Sequence, residues 1–109
     1  MEAQVKSNLE LIRRISDVRW LGGGDVMLDT YLDCRALGVA DEAPVPLLEI
    51  RSQSDTLGGA ANVARNLAQL GAQTTLIGVV GNDAQAEIIR GRLRESGVAE
   101  SLLQTQRQT

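Results

Sequence analysis

Apolar residues near the start of the chain recur at helical spacing. Val5, Leu9, Ile12 and Ile15 stand three or four positions apart. Most of the charged residues of this segment fall between them. Residues spaced in this way share one face of a helix, so the pattern predicts an amphipathic helix over residues 3–15.

The next segment, "DVRWLGGGDVMLD", predicts a strand that enters a glycine-rich turn and continues as a short apolar run. Three successive glycines weaken a regular strand, so we expect a bend or a close backbone approach at residues 22–24. A dinucleotide-binding fingerprint would need a third glycine opening a helix. Met27 holds that position, which excludes the fingerprint.

Residues 30–57 interrupt the pattern. Pro44 and Pro46 stand on either side of Val45. Proline lacks an N–H and clashes with the preceding turn of a helix, so no helix is expected around these residues. They favour strands near the edge of a sheet.

From residue 58 onward, helix and strand patterns alternate. "GGAANVARNLAQLG" predicts a helix ended by Gly71, and "TTLIGVVG" predicts a buried strand. "NDAQAEIIRGRLRESG" predicts a helix that begins at Asn82 or Asp83 and stops at Gly97. Alternation of this kind indicates the α/β class with a parallel sheet. Two such strands would leave apolar sheet edges unpaired, so we expect residues 1–109 to be the first part of a larger domain.

Composition and charge narrow the classes of partner. A net charge of −3 without a basic tract, and only Trp20 and Tyr31 as aromatic residues, make nucleic acid an unexpected partner. The chain has no histidine, which excludes histidine triads and histidine metal ligands. The single cysteine, Cys34, rules out an internal disulfide. No run resembles a signal peptide or a membrane span, so we expect no membrane partner and a cytoplasmic location.

Two short segments carry candidate chemistry. Backbone N–H groups are unpaired where a helix begins, and Gly58 and Gly59 would let a ligand approach them there. Asn62 follows about one turn later, and its amide can donate and accept hydrogen bonds from a hydroxyl-rich ligand. The alternative is a flexible loop followed by a surface asparagine. For Asp29, the alternative to a binding role is that it caps a turn.

The longer spacing resembles a known family. The N-terminal signature of the ribokinase-like (PfkB) sugar kinases is matched by Gly58, Gly59, Ala60, Asn62, Ala64, Gly71 and Gly81. "GDVMLD" and "EAPVP" are similar to one branch of that family, the bacterial heptose 7-phosphate kinases of ADP-heptose synthesis. The likeness runs from Gly24 to Gly97, which is most of the chain.

The resemblance implies a fold and a site. The fold would be the N-terminal part of a ribokinase-like α/β sandwich, with a small β lid at about residues 30–57 and the remainder of 1–109 as its core. The sugar would lie between lid and core. Asp29 would bind sugar hydroxyls, and Gly58, Gly59 and Asn62 would line the same pocket. The lid would pair two copies of the chain into a homodimer.

The resemblance also implies an activity, the transfer of phosphate from ATP to a sugar or sugar phosphate. ATP and Mg²⁺ are expected for the intact enzyme, and neither is expected to bind these 109 residues alone. The family's catalytic aspartate belongs to a Gly-Ala-Gly-Asp loop that this sequence does not contain, so no catalytic residue is assigned.

Two alternatives stay open. The chain could be a non-catalytic sugar-binding or dimerisation module. It could also belong to a kinase of another small hydroxylated substrate, because residues 38–44 differ from the heptose branch.

Overall fold

The chain combines a parallel sheet, helices on one of its faces, and a long antiparallel ribbon. The computed structural model describes residues 1–109. The helices are α1 (Glu2–Arg14), α2 (Ala60–Gln69) and α3 (Ala84–Glu95). The strands are β1 (Arg19–Gly23), β2 (Val26–Val39), β3 (Pro46–Gly59), β4 (Gln73–Gly81) and β5 (Ala99–Thr105).

The parallel sheet has the strand order β1-β4-β5, so β4 lies in the middle. Leu76 of β4 is the register partner of Gly22 on one side and of Glu100 on the other. The sheet and its flanking helices confirm the predicted α/β class. The sequence did not predict β5, which adds a third strand to the two that were expected.

The core lies between the sheet and the two helices α2 and α3. The buried side chains alternate along β4, as expected when one face of a strand is covered. Its largest members are Leu76, Val80, Ile89 and Leu93. The opposite face of the sheet is open, and it exposes Leu21, Ile77, Val79 and Leu103. The sheet therefore has one of the two covering layers that parallel sheets usually carry.

The antiparallel ribbon consists of β2 and β3, each 14 residues long. Its pairing shifts register between Asp33 and Cys34 and again between Ala36 and Gly38. Strands instead of a helix around the two prolines agree with the prediction. The ribbon starts before residue 30 and ends after residue 57, so it also contains Asp29, Gly58 and Gly59.

The ribbon and helix α1 extend away from the core. The radius of gyration is 19.4 Å, whereas a compact domain of this length would have one of about 13 Å. Helix α1 forms as predicted, apart from Ile15, which begins a short 3-10 helix (Ile15–Asp17). None of its residues is buried, so its apolar face contacts solvent in this structure. No helix is both long enough and apolar enough for a membrane crossing.

The glycines before the ribbon have two different uses. Gly22 lies in β1, where a Cβ would overlap the indole ring of Trp20 two residues earlier. The group that approaches Gly22 is therefore a side chain and not the backbone that was expected as one alternative. The expected bend lies at Gly24 and Asp25, between β1 and β2.

Candidate functional site

Asp29 and Gly58 meet where the ribbon joins the core. Asp29 is the register partner of Thr56, and Gly58 is the partner of Met27, so the four residues share one face of the ribbon. A Cβ on Gly58 would lie 2.7 Å from Oδ2 of Asp29, which places the carboxylate directly above the glycine. Asp29 therefore lies within a strand ladder, and its alternative interpretation as the cap of a turn is wrong.

The Asp29 carboxylate is an available acceptor. The side chain is half-buried, and none of the hydrogen bonds of the structure involves either of its oxygens. Thr30, the next residue, contrasts with it, because its hydroxyl donates to Asp55 Oδ1 across the ribbon at 2.7 Å. A half-buried carboxylate without a protein partner can accept hydrogen bonds from a ligand.

Gly59 is the last residue of β3 and directly precedes helix α2. It lies against the turn between β1 and β2. Its φ is +57°, a conformation that glycine adopts most easily. A Cβ on Gly59 would clash with the carbonyl oxygen of Asp25, which accepts a hydrogen bond from the N–H of Ala60 at 2.8 Å. No side chain caps this helix. The unpaired N–H groups of its first turn are therefore free to bind the acceptor groups of a ligand.

Asn62 lies in that first turn and already has a partner. Its Oδ1 accepts a hydrogen bond from Nη2 of Arg65 at 2.6 Å. The amide was expected to offer a donor and an acceptor, and Arg65 takes one of the two lone pairs of the acceptor oxygen. Sequence reasoning missed Arg65, although its position three residues after Asn62 places the two side chains side by side on a helix. No hydrogen bond joins Asn62 to Asp29.

A cavity of about 580 Å³ opens at the carboxyl ends of the three parallel strands. This is the edge where ligands bind in open α/β sheets. Its lining includes Gly24 and Asp25 after β1, Gly81 at the end of β4, and Thr105 at the end of β5. The four predicted site residues do not line the cavity. They lie beside it, connected through the hydrogen bond from Ala60 to Asp25.

Asp83 caps helix α3 and holds the last residues of the chain at the rim of this cavity. Its Oδ1 accepts from the N–H of Ala86 at 2.9 Å, which confirms Asp83 as the capping residue. The hydroxyl and the N–H of Thr109 both donate to the same carboxylate at 2.6 Å. These hydrogen bonds lower the pKa of Asp83 below its ordinary value. The bond from the hydroxyl of Thr109 has the largest effect.

Residues 24–109 match the family described as pfkB family carbohydrate kinase. The match includes the ribbon, the glycine pair, Asn62 and the parallel strands β4 and β5. The chain belongs to the pfkB family of carbohydrate kinases. The resemblance inferred from the glycine and asparagine spacing is thereby confirmed.

Two curated bacterial proteins are similar to most of the chain. The chain is 50% identical over 90 residues to the D-beta-D-heptose 7-phosphate kinase of Bordetella bronchiseptica, a match that covers 83% of the chain and 29% of that protein. It is 49% identical over 74 residues to the bifunctional protein HldE of Methylobacillus flagellatus, with 68% of the chain and 15% of that protein covered. The chain thus spans less than a third of the length of these relatives.

Solved structures show the same fold. A carbohydrate kinase from Agrobacterium tumefaciens superposes with a TM-score of 0.67 at 23% identity, over 84% of this chain and 29% of that one. The tetrameric inhibited form of phosphofructokinase-2 from Escherichia coli gives 0.60 at 26% identity, over 84% and 29%. The three-stranded parallel sheet with its helices therefore has the architecture of ribokinase-like proteins.

Proposed function

We propose that the complete protein transfers the γ-phosphate of ATP to a hydroxyl of a heptose 7-phosphate. The complete protein is here the product of the gene that encodes this chain. This chain would supply the sugar-binding side of the site. The observation that supports the proposal most strongly is the unpartnered carboxylate of Asp29, held above Gly58 and next to the uncapped start of helix α2. The name of the Bordetella bronchiseptica relative supports the choice of sugar.

The groups of the site complement a sugar chemically. The carboxylate of Asp29 can accept hydrogen bonds from two neighbouring hydroxyl groups. The NH₂ of Asn62 and the free N–H groups at the start of helix α2 can donate to sugar oxygens. Acceptors and donors placed near one another are what a ring of hydroxyls requires, because each hydroxyl can both donate and accept.

ATP and Mg²⁺ belong to the proposed reaction. No group of three or more carboxylate or thiolate side chains of this chain converges on a point where it could hold a metal ion. We assign no residue of this chain to the nucleotide or to the metal. Phosphoryl transfer also needs a positioned base and stabilisation of the transferred group. We propose that residues 1–109 alone do not catalyse, and sugar-dependent ATP consumption by the purified chain would contradict this.

A substrate screen tests the proposed function. The purified complete protein would be incubated with ATP, Mg²⁺ and each of three classes of acceptor: heptose 7-phosphates, hexose 6-phosphates and nucleosides. We expect release of ADP with the heptose 7-phosphates at the highest kcat/KM. A higher kcat/KM with a nucleoside would show that the protein acts on another class of substrate. If no acceptor led to release of ADP, the proposal that the protein is a kinase would be refuted.

We also propose that the ribbon forms a homodimer with a second copy of the chain. The half of the ribbon farther from Asp29 exposes a set of apolar side chains, each about half accessible: Leu37, Val39, Val45, Leu47, Leu48 and Ile50. Leu48 and Ile50 lie two positions apart in β3, so they share one face of the ribbon. Exposed apolar side chains of this kind are typical of an interaction site. The cytoplasm is the compartment that we propose for the protein, since the reaction uses ATP and Cys34 is a free thiol.

A further inference from the structure

The side-chain amide of Asn62 has a fixed orientation. Nη2 of Arg65 lies 2.6 Å from Oδ1 of Asn62, a short hydrogen bond whose donor carries a charge. A guanidinium group has only donors, so the group that faces it must be the amide oxygen. The NH₂ of Asn62 must then be on the other side of the amide.

The side chain of Arg65 makes no other hydrogen bond, which separates it from an arginine that only stabilises the fold. Its Nε–H is buried and has no acceptor. Arg90 shows the contrast, because it donates to the carboxylate of Glu100 at 2.7 Å and to the carbonyl of Leu102 at 3.2 Å. A buried donor without a partner is unfavourable. The unpaired Nε–H of Arg65 lowers the stability of the fold, and the one hydrogen bond of the side chain goes to Asn62.

We propose that Arg65 is a positioning residue that keeps the amide of Asn62 turned so that its oxygen faces Arg65 and its NH₂ faces the sugar. The proposal deepens the proposed function and rests on it. Asn62 then recognises an oxygen lone pair of the sugar, while Asp29 recognises hydroxyl protons.

Kinetics of the complete protein test the proposal with graded variants. Arg65→Met keeps the length of the side chain and removes its donors, and Arg65→Lys restores one charged donor. We expect Arg65→Met to raise KM for the sugar about tenfold, with KM for ATP unchanged, and Arg65→Lys to recover part of the loss. Arg92→Met is the control, because Arg92 is exposed and its side chain makes no hydrogen bond. A rise in both KM values, or no rise, would overturn the proposal.

A double-mutant cycle tests whether Arg65 acts through Asn62. If it does, Arg65→Met combined with Asn62→Ala should have the same sugar KM as Asn62→Ala alone, because the amide that Arg65 orients is already gone. Multiplied effects of the two substitutions would show that Arg65 acts on the sugar independently, which would refute a positioning role.

A spectroscopic measurement separates failure of this proposal from failure of the proposed function. In complete protein labelled with ¹⁵N-asparagine, the side-chain NH₂ signals of Asn62 are identified by their loss in Asn62→Asp. We expect these signals to shift in Arg65→Met and to return towards their original position in Arg65→Lys, without any sugar present. Unchanged signals in Arg65→Met would overturn the Asn62–Arg65 contact, whether or not the protein is a kinase.

Discussion

The carboxylate of Asp29 lies above the α-carbon of Gly58, so that a Cβ on Gly58 would stand 2.7 Å from Oδ2 and 2.8 Å from Oδ1. Asp29 and Gly58 are diagonal neighbours across the antiparallel ribbon, and the space between them holds only one side chain. The carboxylate occupies this space only because residue 58 has no side chain. The requirement for glycine at this position is therefore steric and depends on Asp29.

Replacing Gly58 with alanine should displace the carboxylate of Asp29. The φ of Gly58 is not positive, so alanine can adopt its backbone conformation, and the new methyl group meets a movable side chain. We expect KM for the sugar to rise about tenfold, with a melting temperature close to that of the wild type. Enzyme kinetics and thermal unfolding of the complete protein measure the two effects.

Gly91→Ala is the control for that substitution. Gly91 lies inside helix α3, and a Cβ there would meet no atom within 4 Å. Alanine should therefore stabilise the helix by about 0.5–1 kcal/mol and leave the kinetics unchanged. An unaltered sugar KM in Gly58→Ala would contradict a ligand role for the Asp29 carboxylate.

Replacing Gly59 with alanine should destabilise the protein. Alanine would be strained at a φ of +57°, and its methyl group would also clash with the carbonyl oxygen of Asp25, which belongs to the backbone and cannot turn aside. We expect a loss of about 1–3 kcal/mol in the free energy of unfolding. Gly97→Ala is the matched control, since Gly97 has a φ of +78° but an open surrounding. Equal losses in the two variants, measured by urea unfolding, would disprove the clash.

The stabilisation provided by Asp83 should depend on pH. Its pKa is lower in the folded protein than in the unfolded chain, because the hydroxyl and N–H of Thr109 and the N–H of Ala86 donate to the charged form. The stabilisation is complete above the unfolded pKa of about 3.9 and is lost as the pH falls through the lower, folded value. We expect Asp83→Asn to be less stable than the wild type at pH 6 and the difference to shrink below pH 4.

Urea unfolding between pH 2.5 and pH 7 measures this dependence. The control is Asp41→Asn, because Asp41 is exposed and its side chain makes no hydrogen bond. A difference between wild type and Asp83→Asn that stays constant over this range would contradict the assignment.

A charged side chain in the apolar part of the ribbon should dissociate the proposed dimer into monomers. Ile50 is 60% exposed in the single chain, so Ile50→Lys costs little in the monomer but would place a charge at the interface. We expect analytical ultracentrifugation of the complete protein to give a dimer for the wild type and a monomer for Ile50→Lys. Ser52→Lys, two positions along the same strand, is the polar control. A monomeric wild type, or an Ile50→Lys variant that stays dimeric, would argue against an interface at the ribbon.

The parts of the fold that the sequence predicted are those with strong local signals. Helix α2 is framed by Gly59 and Gly71, and α3 by Asp83 and Gly97. The central strand β4 is an apolar, β-branched run. Each of these signals acts within a few residues, so it can be recognised without knowledge of the tertiary structure.

Strand β5 was missed because its inward face mixes apolar and charged residues. Val98 and Leu102 are buried, but Glu100 stands between them at the same face. The Glu100 side chain is only 11% exposed because it pairs with Arg90 of helix α3 at 2.7 Å. A glutamate usually argues against a buried strand position, and only the contact with a residue ten positions away makes it acceptable.

The site formed by Asp29, Gly58, Gly59 and Asn62 stays a prediction. Only the spacing of these residues can be recognised in the sequence. The steric relation between Asp29 and Gly58 depends on the register of the ribbon, which the sequence does not reveal. The hydrogen bond that Asn62 accepts depends on which way the side chain of Arg65 turns.

Titration of heptose 7-phosphate into the complete protein and its Asp29→Ala variant tests the central claim, that the Asp29 carboxylate binds the sugar. Asp29 is half-buried and contributes little packing, so the variant should unfold at the same urea concentration as the wild type within experimental error. Isothermal titration calorimetry should then show a Kd that is higher by about tenfold to a hundredfold in Asp29→Ala. Equal affinities in the two folded proteins would contradict the account.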